Sequence, residues 1–415
     1  MKNTEETDKN IQGITIKVIL ELKNPEDAEK IRKTMRAYTN ACSFISEYIF
    51  QNKFIMNPIT LQEKIYKTLR TEYGLKSMMA QSSIRHVIAK YKAVKTQLNQ
   101  KPFRYKDENG EWMRIHKTLE WLWKPIHFVS QQVILVRGRD WSKTSKGELS
   151  INTLDGRIKM IPTCHKVFDK YLDGTWKLGN AILFEKDGKW RFHITATKEI
   201  PEKTREDFHK VVGIDRGLRF IANTYDEKGE VMFFSGKEAR RKRENFDKVR
   251  EELQKRGTRS ARKKLKKISG RENRWMTDVN HCISKTLVQE FGEDTLFVLE
   301  DLVDISHHPV KAKTEKGRKW NHSVSSWAFY QLEQFLSYKA NLNNSMVLKV
   351  SAKYTSQRCP KCGSVDSSNR HHSIHEYICK NCGYHSNDDR VAAMNIQMLG
   401  TRWMTGEDYP FYTKI

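Results

Sequence analysis

Four cysteines near the end of the sequence have the spacing of metal ligands. Cys359 and Cys362 form one Cys-x-x-Cys pair, Cys379 and Cys382 form another, and residues 363–378 separate them. A glycine follows each pair and tolerates the positive φ that such a tight turn requires. Because four thiolates complete a tetrahedral shell, we predict one structural Zn²⁺ per chain and no open catalytic position. The spacing leaves open that one cysteine is replaced as a ligand by a histidine, from the set His371, His372, His375 and His385.

Three acidic residues lie where apolar segments end or begin. Asp215 follows the run VVGI, Glu300 follows LFVL, and Asp389 begins the helical segment DRVAAMNI. An acid at a strand end is usually a turn or cap residue, so none of the three indicates a metal site by itself. In the helix, Ala392 and Ala393 share the face of Asp389, and such small side chains permit a close approach to a sheet. The three carboxylates can therefore converge from two strand ends and one helix.

Converging carboxylates are suited to phosphodiester hydrolysis. Two divalent cations about 4 Å apart would activate a water molecule and stabilise the leaving 3′ oxygen. Without cations the carboxylates would repel one another and retain protons. Hard oxygen ligands select Mg²⁺, or Mn²⁺ in its place, over zinc. We therefore predict that Asp215, Glu300 and Asp389 bind two Mg²⁺ ions.

The composition predicts a polyanionic partner. The 415 residues include 75 Lys and Arg against 50 Asp and Glu, a formal net charge of +25, far more than solubility requires. Nucleic acid is favoured over a membrane because the mean hydropathy is −0.72 and no apolar run has the length of a transmembrane helix. The opening residues lack a signal peptide, so we expect a soluble intracellular protein. Cys42, Cys164 and Cys282 are scattered, and we predict that they are buried, reduced thiols.

The first half of the sequence predicts a β-barrel interrupted by helices. Residues 1–24 contain an alternating strand, and residues 25–100 have apolar residues at helical spacing, which predicts an inserted helical bundle. Residues 101–200 return to short alternating segments separated by turn residues, which predicts the remainder of the barrel. The polar residues 201–209 are predicted to be a linker.

The second half predicts a separate α/β domain, so that the chain as a whole is multidomain α+β. Strands and helices alternate over residues 210–351, and two basic regions lie among them. The region 237–274 predicts two long helices broken near Gly257, and 303–322 predicts a basic loop. Their excess of positive charge predicts contact with backbone phosphates. The predicted order then ends with the cysteine module at 352–387, a helix at 388–400 and a tail at 401–415.

Four motifs resemble, in order and spacing, those of the transposon-encoded TnpB proteins and the miniature type V-F CRISPR-associated nucleases. They are VVGIDRGL, VLEDL, YTSQRCPKCG and ICKNCGYHSNDDRVAAMNI. The similarity covers roughly residues 210–400. It implies a wedge-like amino-terminal barrel and a split RNase H-like (RuvC) α/β domain with an inserted zinc ribbon that binds target nucleic acid. The RuvC acids of the family fall on Asp215, Glu300 and Asp389. The family pattern has Asn where this chain has Val391, and aligning the following alanines makes Asp389 the ligand and Asp388 its neighbour.

The resemblance also implies an RNA-guided DNA endonuclease of the bacterial or archaeal cytoplasm, associated with the nucleoid. Guide RNA would pair with target DNA while the protein reads a short motif beside the target. Two copies are expected on one guide, since one chain of this size has little surface to enclose a heteroduplex of roughly twenty base pairs. The motifs do not distinguish a CRISPR guide from one made at a transposon end. Two competing hypotheses are a guided regulator that binds without cutting and a zinc protein that binds nucleic acid without a guide.

Overall fold

The computed structural model describes residues 10–163, 169, 171, 174–302, 329–371 and 374–413. The chain forms two compact units, one of Gly13–Glu199 and one of Met1–Gln12 with Ile200–Ile415. The boundary between these units coincides with the predicted end of the barrel region. The predicted basic loop 303–322, Cys164 and His372 lie outside the described residues. No helix in the described part of the chain is both long and apolar enough to cross a lipid bilayer.

The unit of Gly13–Glu199 contains a seven-stranded sheet and three helices. The strands of this sheet hydrogen-bond in the order β4-β8-β9-β1-β7-β6-β5. The two end strands are consecutive in the chain, and an isolated bridge joins Arg137 to Trp141 between them, so the sheet is nearly closed. The predicted barrel with a helical insertion is thereby confirmed. In chain order the elements are β1 (Ile11–Leu22), α1 (Asp27–Gln51), α2 (Pro58–Thr71), α3 (Ser77–Gln100), β2 (Phe103–Lys106), β3 (Trp112–Ile115), β4 (Gln132–Leu135), β5 (Trp141–Lys143), β6 (Leu149–Thr153), β7 (Gly156–Pro162), β8 (Lys177–Lys186) and β9 (Lys189–Glu199).

The three helices pack against the sheet through one shared apolar core. The apolar residues at helical spacing in α1, among them Ile31, Met35 and Cys42, are all buried, because they form the stripe that faces this core. The buried Tyr91 side chain is paired inside this core, because its hydroxyl donates to the Ser46 carbonyl oxygen at 2.9 Å. Such pairing removes the free-energy cost of burying a hydroxyl without a partner.

The segment 103–115 differs from its predicted place in the barrel. Strands β2 and β3 pair with each other in a separate two-stranded sheet, and every residue of both strands is exposed. Alternation of apolar and polar residues predicts a strand, but it does not determine which sheet the strand joins. The segment is therefore a free-standing hairpin.

The second unit is built on a five-stranded mixed sheet in the order β12-β11-β10-β13-β14. Strands β10, β13 and β14 are parallel to one another, and β11 and β12 are antiparallel additions at one edge. The elements are β10 (Lys210–Asp215), β11 (Phe220–Tyr225), β12 (Val231–Ser235), α4 (Lys237–Arg256), α5 (Arg259–Phe291), β13 (Thr295–Glu300), α6 (Phe329–Leu342), β14 (Met346–Val350), β15 (Arg370–His371), β16 (Glu376–Ile378), β17 (His385–Asn387) and α7 (Asp388–Met404).

Both faces of the central strands are covered by helices. Residues such as Ile214 and Leu299 share one core cluster with α5 and α6. Their neighbours, such as Val211 and Val298, share another cluster with α7. Successive side chains of a strand point to opposite faces, so a strand covered on both faces is apolar throughout. This explains the unbroken apolar run before Glu300.

The basic region 237–274 forms two helices, as predicted. Helix α4 ends at Gly257, whose φ of 61° is the left-handed conformation that favours glycine. The sparse apolar residues of the two helices pack together around Leu253, Ala261 and Ile268, which leaves the remaining surface polar. Cys282 in α5 is exposed, so its predicted burial is wrong, whereas Cys42 is buried as predicted.

Helix α7 lies very close to strands β10 and β13. A Cβ atom at Gly213 would overlap the backbone of Ala393 and Gln397, and one at Gly400 would overlap the side chain of Val298. The helix continues to Met404, beyond its predicted end at residue 400. Part of the predicted tail is also packed, because Tyr412 is buried and donates from its hydroxyl to the Asn395 carbonyl oxygen at 2.7 Å.

Substitution of Gly213 by Ala tests this close approach. The added methyl would meet backbone atoms that cannot move as a side chain can, and overpacking costs about 1–3 kcal/mol. At about 2–4 °C per kcal/mol for a unit of this size, the melting temperature should fall by roughly 2–12 °C. Scanning calorimetry measures the shift. The control Gly270→Ala lies in helix α5 against the movable Arg274 guanidinium, and it should melt at the same or a higher temperature; equal melting of both variants would contradict the packing.

Candidate metal sites in the second unit

Asp215 and Glu300 end two neighbouring parallel strands at the same edge of the sheet. Ile214 of β10 is the Cα partner of Leu299 of β13, so the next residue of each strand is one of these acids. Neighbouring strands lie about 4.8 Å apart. Because Ile214 and Leu299 face the core beneath α5 and α6, the two acids face the opposite side, which α7 covers. The fold therefore brings the two carboxylates together.

Asp389 lies in the first turn of α7, at the same side of the sheet. The Asn387 side chain caps this helix by accepting hydrogen bonds from the backbone N–H groups of Asp389 and Arg390, each at 3.1 Å. A helix amino terminus favours negative charge nearby. Burial, followed by the charges of Glu300 and Asp389, raises the pKa of Asp215 well above its ordinary value. All three predicted ligands thus interact electrostatically in one place.

The carboxylate cluster concentrates acidic side chains in a buried place. Burial also raises the pKa of Glu300, although the Thr355 hydroxyl donates to its Oε1 atom. Burial and the neighbouring Asp388 raise the pKa of Asp389. The Oδ2 atom of Asp389 is buried without a hydrogen-bond partner among the described residues. Three carboxylates in one buried place, one of them with an oxygen that has no donor, fit the binding of a hard divalent cation, which would favour the ionised forms.

Arginines line the same cluster. The buried Arg216 side chain donates to the Glu300 carbonyl oxygen at 2.6 Å and forms an ion pair with Glu333 at 3.1 Å. Arg370, on strand β15 of the cysteine module, donates from Nε to Asp388 at 2.9 Å and lies 3.7 Å from Asp389. The sequence reasoning missed both. Arg216 could have been identified from the sequence, because it directly follows Asp215. Arg370 lies between the cysteine pairs in the sequence, and only the fold brings it to the acids.

Asp388 and Asp389 have different surroundings, although they are adjacent. Asp388 is almost fully buried and binds Arg370, and His375 Nδ1 lies 3.7 Å from its Oδ1 atom. Ligand atoms of His375, Asp388 and Asp389 all lie within 4.8 Å of one another. Asp388 therefore joins α7 to the cysteine module through Arg370, which lies farther from Asp389 at 3.7 Å, and each aspartate keeps one buried carboxylate oxygen without a hydrogen bond among the described residues.

The four predicted zinc ligands form one cluster. The Sγ atoms of Cys359 and Cys382 lie 3.6 Å apart, as do those of Cys362 and Cys379, and all four lie within 4.8 Å of one another. Sulfur atoms around a tetrahedral zinc with 2.3 Å bonds are about 3.8 Å apart, whereas a disulfide is about 2.05 Å long. The cluster therefore fits one zinc ion. Among the described histidines, none joins this cluster.

The cysteine cluster is part of a small core that includes the start of α7. Cys359, Tyr377 and Cys379 pack with Val391, the residue that stands where the family pattern has Asn. The backbone N–H of Ser364 lowers the pKa of Cys362 to about 6, whereas burial raises the pKa of Cys359 to about 12. A bound cation would hold both as thiolates. The module therefore supports the helix turn that carries Asp389.

Two family models match this chain, almost entirely within the second unit. The model described as the Cas12f1-like TNB domain matches residues 329–396. The model described as "Probable transposase" matches residues 193–303. Their ranges together contain all seven predicted ligand residues.

Similar proteins include both CRISPR-associated and transposon-type sequences. CRISPR-associated endodeoxyribonuclease Cas12f1 of Sulfoacidibacillus thermotolerans is 27% identical over 274 residues, which cover 61% of this chain and 61% of that protein. A TnpB-like protein of Methanocaldococcus jannaschii is 29% identical over 239 residues, or 56% of this chain and 81% of that protein. The chain thus matches less than two thirds of the length of the Cas12f1 relative.

A solved structure of similar fold is CasPhi-2 (Cas12j) bound to crRNA and phosphorothioate-DNA. It has a TM-score of 0.53 and 10% sequence identity, and the similarity covers 97% of this chain and 93% of that one. The structure of the mini-RNA-guided endonuclease CRISPR-Cas_phi3 has a TM-score of 0.51 and 11% identity, covering 94% and 93% of the two chains. At such low identity the likeness concerns the fold alone, a mixed α/β architecture.

Replacement of Cys359 by Ser tests the zinc site. Loss of one thiolate should lower the bound zinc to well below one ion per chain and lower the melting temperature, because binding of a structural zinc is coupled to folding. Elemental analysis of the purified protein and calorimetry measure the two effects. The matched control Cys282→Ser removes an exposed cysteine outside the cluster and should leave both values unchanged; equal zinc content in the two variants would refute the site.

Asp215→Asn tests the carboxylate cluster through stability. The pKa of Asp215 is raised in the folded chain, so the folded state binds the proton more tightly than the unfolded state does. Without metal, stability is therefore lost as the pH rises above about 4, the ordinary pKa of aspartate. The substitution removes this charge and should raise the melting temperature of the metal-free protein at pH 7 by about 2 °C or more.

Added Mg²⁺ should stabilise the wild type and have little effect on Asp215→Asn, since a bound ligand stabilises only the state that holds it. Asp301→Asn is the control, because Asp301 directly follows Glu300 and its side chain is 46% exposed. A lower melting temperature for Asp215→Asn at neutral pH, with the wild-type response to Mg²⁺ retained, would contradict the proposed cluster.

Proposed function

The chain is a relative of the Cas12f and TnpB proteins, and from that premise we propose that it is a magnesium-dependent, RNA-guided DNA endonuclease. The observation that carries the proposal is the convergence of Asp215, Glu300 and Asp389 at one edge of the second unit's sheet. The five-stranded mixed sheet, covered by helices on both faces, supports the RNase H-like (RuvC) assignment. The endodeoxyribonuclease among the relatives supports a nuclease.

In this proposal Asp215, Glu300 and Asp389 hold two Mg²⁺ ions. When bound, the ions supply activation of the attacking water and stabilisation of the leaving 3′ oxygen. The residues of the chain orient the ligands: the Thr355 hydroxyl binds the Glu300 carboxylate, and the Asn387 cap fixes the first turn of α7. Arg370 provides positive charge close to the site. Such pre-oriented groups need no rearrangement when phosphate charge develops.

The proposed partners are guide RNA and target DNA with a short adjacent recognition motif. Base pairing with the guide would supply sequence specificity, so the protein need contact mainly backbone and shape. The long polar surfaces of α4 and α5 supply positive charge for the backbone phosphates. Two copies are proposed to share one guide, and the proposed location is the bacterial or archaeal cytoplasm, associated with the nucleoid.

A TnpB-type nuclease is the second candidate, and it differs in the origin of the guide. The match of residues 193–303 to a probable transposase and the likeness to a TnpB-like protein favour it, whereas the TNB match and the Cas12f1 relative favour a CRISPR guide. Sequencing the RNA that copurifies with the protein separates the two. Reads from a repeat-spacer array indicate the first origin, and reads from a transposon end the second.

Alanine substitutions of the three acids test the proposed chemistry. With the copurifying RNA rebuilt by transcription and a matching DNA target, Asp215→Ala, Glu300→Ala or Asp389→Ala should lower the cleavage rate at least about 1,000-fold in Mg²⁺ while guided binding persists. Gel assays of cleavage and of binding give the two readouts. The control Asp301→Ala removes an exposed carboxylate from the residue next to Glu300 and should cut normally.

Each competing function has its own result in this experiment. Guided binding by the wild type without any cleavage would indicate a regulator, and the absence of any enriched RNA would indicate a zinc protein that binds nucleic acid without a guide. Cleavage that survives loss of one of the three acids would reject that residue as a metal ligand. Asp388→Ala should weaken cutting less than Asp389→Ala, because Asp388 is already bound by Arg370.

A further inference from the structure

The β2–β3 hairpin of the first unit is a surface that the proposed function does not yet use. All eight of its strand residues are exposed, and several are large and apolar. Trp112 is 68% exposed, and Trp123, a little further along the chain, is 82% exposed. Exposed apolar groups this close together on a ribbon usually mark a contact surface. The hairpin is held in place at its base, where His116 Nδ1 lies 3.2 Å from the Asn99 carbonyl oxygen and Leu119 is buried.

One face of the hairpin is aromatic and apolar. Phe103 pairs across the strands with Ile115, and Tyr105 pairs with Met113, so these four side chains share a face. Trp121 extends it, because its ring centroid lies 5.9 Å from that of Phe103. The rings therefore form a continuous platform at the surface.

The opposite face is cationic. Arg104 lies directly across from Arg114, and Lys106 lies across from Trp112, with its Nζ 5.6 Å from the Trp112 ring centroid. Two like charges in directly opposed positions destabilise a hairpin. Neither arginine has an ion-pair or hydrogen-bond partner in the part of the chain that the structure describes. An anion bound between them would offset the repulsion.

The aromatic and cationic side chains alternate beyond the hairpin as well. Lys117 Nζ lies 5.6 Å from the Trp121 ring centroid, and Lys124 Nζ lies 4.3 Å from that of Trp123. A hollow of about 460 Å³ adjoins the base of the hairpin, and its lining residues are Val94, Gln97, Leu98, Lys101 and Lys117. Flat apolar rings with a positive charge beside each of them match a partner made of flat bases and phosphates.

We propose that the β2–β3 hairpin binds an unpaired segment of the guide RNA, with phosphates between Arg104 and Arg114 and bases stacked on Trp112 and on the Phe103 face. This inference rests on the proposed function, which supplies the guide. Single strands suit such a platform because their bases are free to stack on aromatic rings. Guide RNA suits the hairpin better than target DNA does. An exposed aromatic ribbon is an aggregation liability, and in this proposal the guide covers the hairpin before any target DNA binds.

A second copy of this chain fits the hairpin less well. A symmetric contact places the same patch of both subunits face to face, so the unpaired arginines of one copy would approach those of the other. The acids of the hairpin lie in its turn, where the Asp107 carboxylate already accepts the backbone N–H groups of Asn109 and Glu111. The charge of the strands is therefore complementary to a polyanion.

Ultraviolet crosslinking of the complex as purified locates the RNA contact. The full-length protein with its copurifying RNA is irradiated and digested, and mass spectrometry identifies peptides that carry a nucleotide. We expect adducts on Phe103, Tyr105 or Trp112. Binding of a fluorescent 12-nucleotide oligouridylate, with an oligothymidylate of the same length for comparison, then measures the affinity.

The double variant Phe103→Ala/Trp112→Ala should bind the oligouridylate roughly 5- to 100-fold more weakly, as the loss of stacked bases predicts. Its aromatic control is Tyr409→Ala, which removes an aromatic residue that is 88% exposed in the other unit. The double variant Arg104→Ala/Arg114→Ala should lower the slope of log K against log salt by about 1.4, or 0.7 for each phosphate. Its charge-matched control is Lys146→Ala/Lys189→Ala, at two exposed positions of the same unit outside the hairpin.

Four results would overturn the inference. If RNA copurifies but the hairpin carries no adduct and its variants bind like their controls, the inference fails while the proposed function stands. If the variants change the oligomeric state measured by light scattering and not the affinity, a second copy covers the hairpin. If the loss of affinity is larger for oligothymidylate, the occupant is single-stranded DNA. The absence of any copurifying RNA would remove the proposed function together with this inference.

Discussion

The close packing of helix α7 on strands β10 and β13 determines the geometry of the second unit. Two glycines permit this close packing, because a side chain at Gly213 would overlap the helix backbone and one at Gly400 would overlap Val298. At this short distance the first turn of α7 lies at the carboxyl ends of the parallel strands, where Asp215 and Glu300 end. A larger side chain at either glycine would move the helix outward, and the third carboxylate, Asp389, would move with it.

This packing brings the carboxylates together in a buried place. The cysteine module stabilises this cluster of carboxylates from one side. Arg370 reaches Asp388 and Asp389 from strand β15, and Val391 packs against Cys359 and Tyr377. The two candidate metal sites are therefore connected through the first turn of α7. Zinc at the cysteines would hold the turn in position, and magnesium at the carboxylates would neutralise the charge that remains. Residue 391 packs as an apolar residue in this connection, which gives the valine at this position a structural role.

In the first unit, the apolar periodicity of a segment does not by itself determine whether the segment is buried. Its barrel and helical insert bury their apolar stripes in one core, as the periodicity of the sequence requires. The β2–β3 hairpin has the same alternation, but its two strands form a sheet of their own and every strand residue is exposed. Its two opposed arginines and its exposed aromatic rings form a surface suited to contact with another molecule. The fold comparisons, at 10% and 11% identity, concern the architecture and leave the chemistry of both units to their own side chains.

Local spacing along the chain was sufficient to predict several of these features. Two Cys-x-x-Cys pairs fold into turns that aim four thiolates together, helical spacing predicted the insert at 25–100, and Gly257 predicted the break between α4 and α5. The approach of Asp215 to Glu300 was predicted only in outline, from the place of each acid at the end of an apolar segment, because the parallel pairing of the two strands is a property of the fold. The place of Arg370, the burial of Tyr412 and the separation of the hairpin from the barrel became known only with the folded chain. Those outcomes depend on contacts between residues far apart in the chain, and local periodicity holds no information about which distant surface covers a given face.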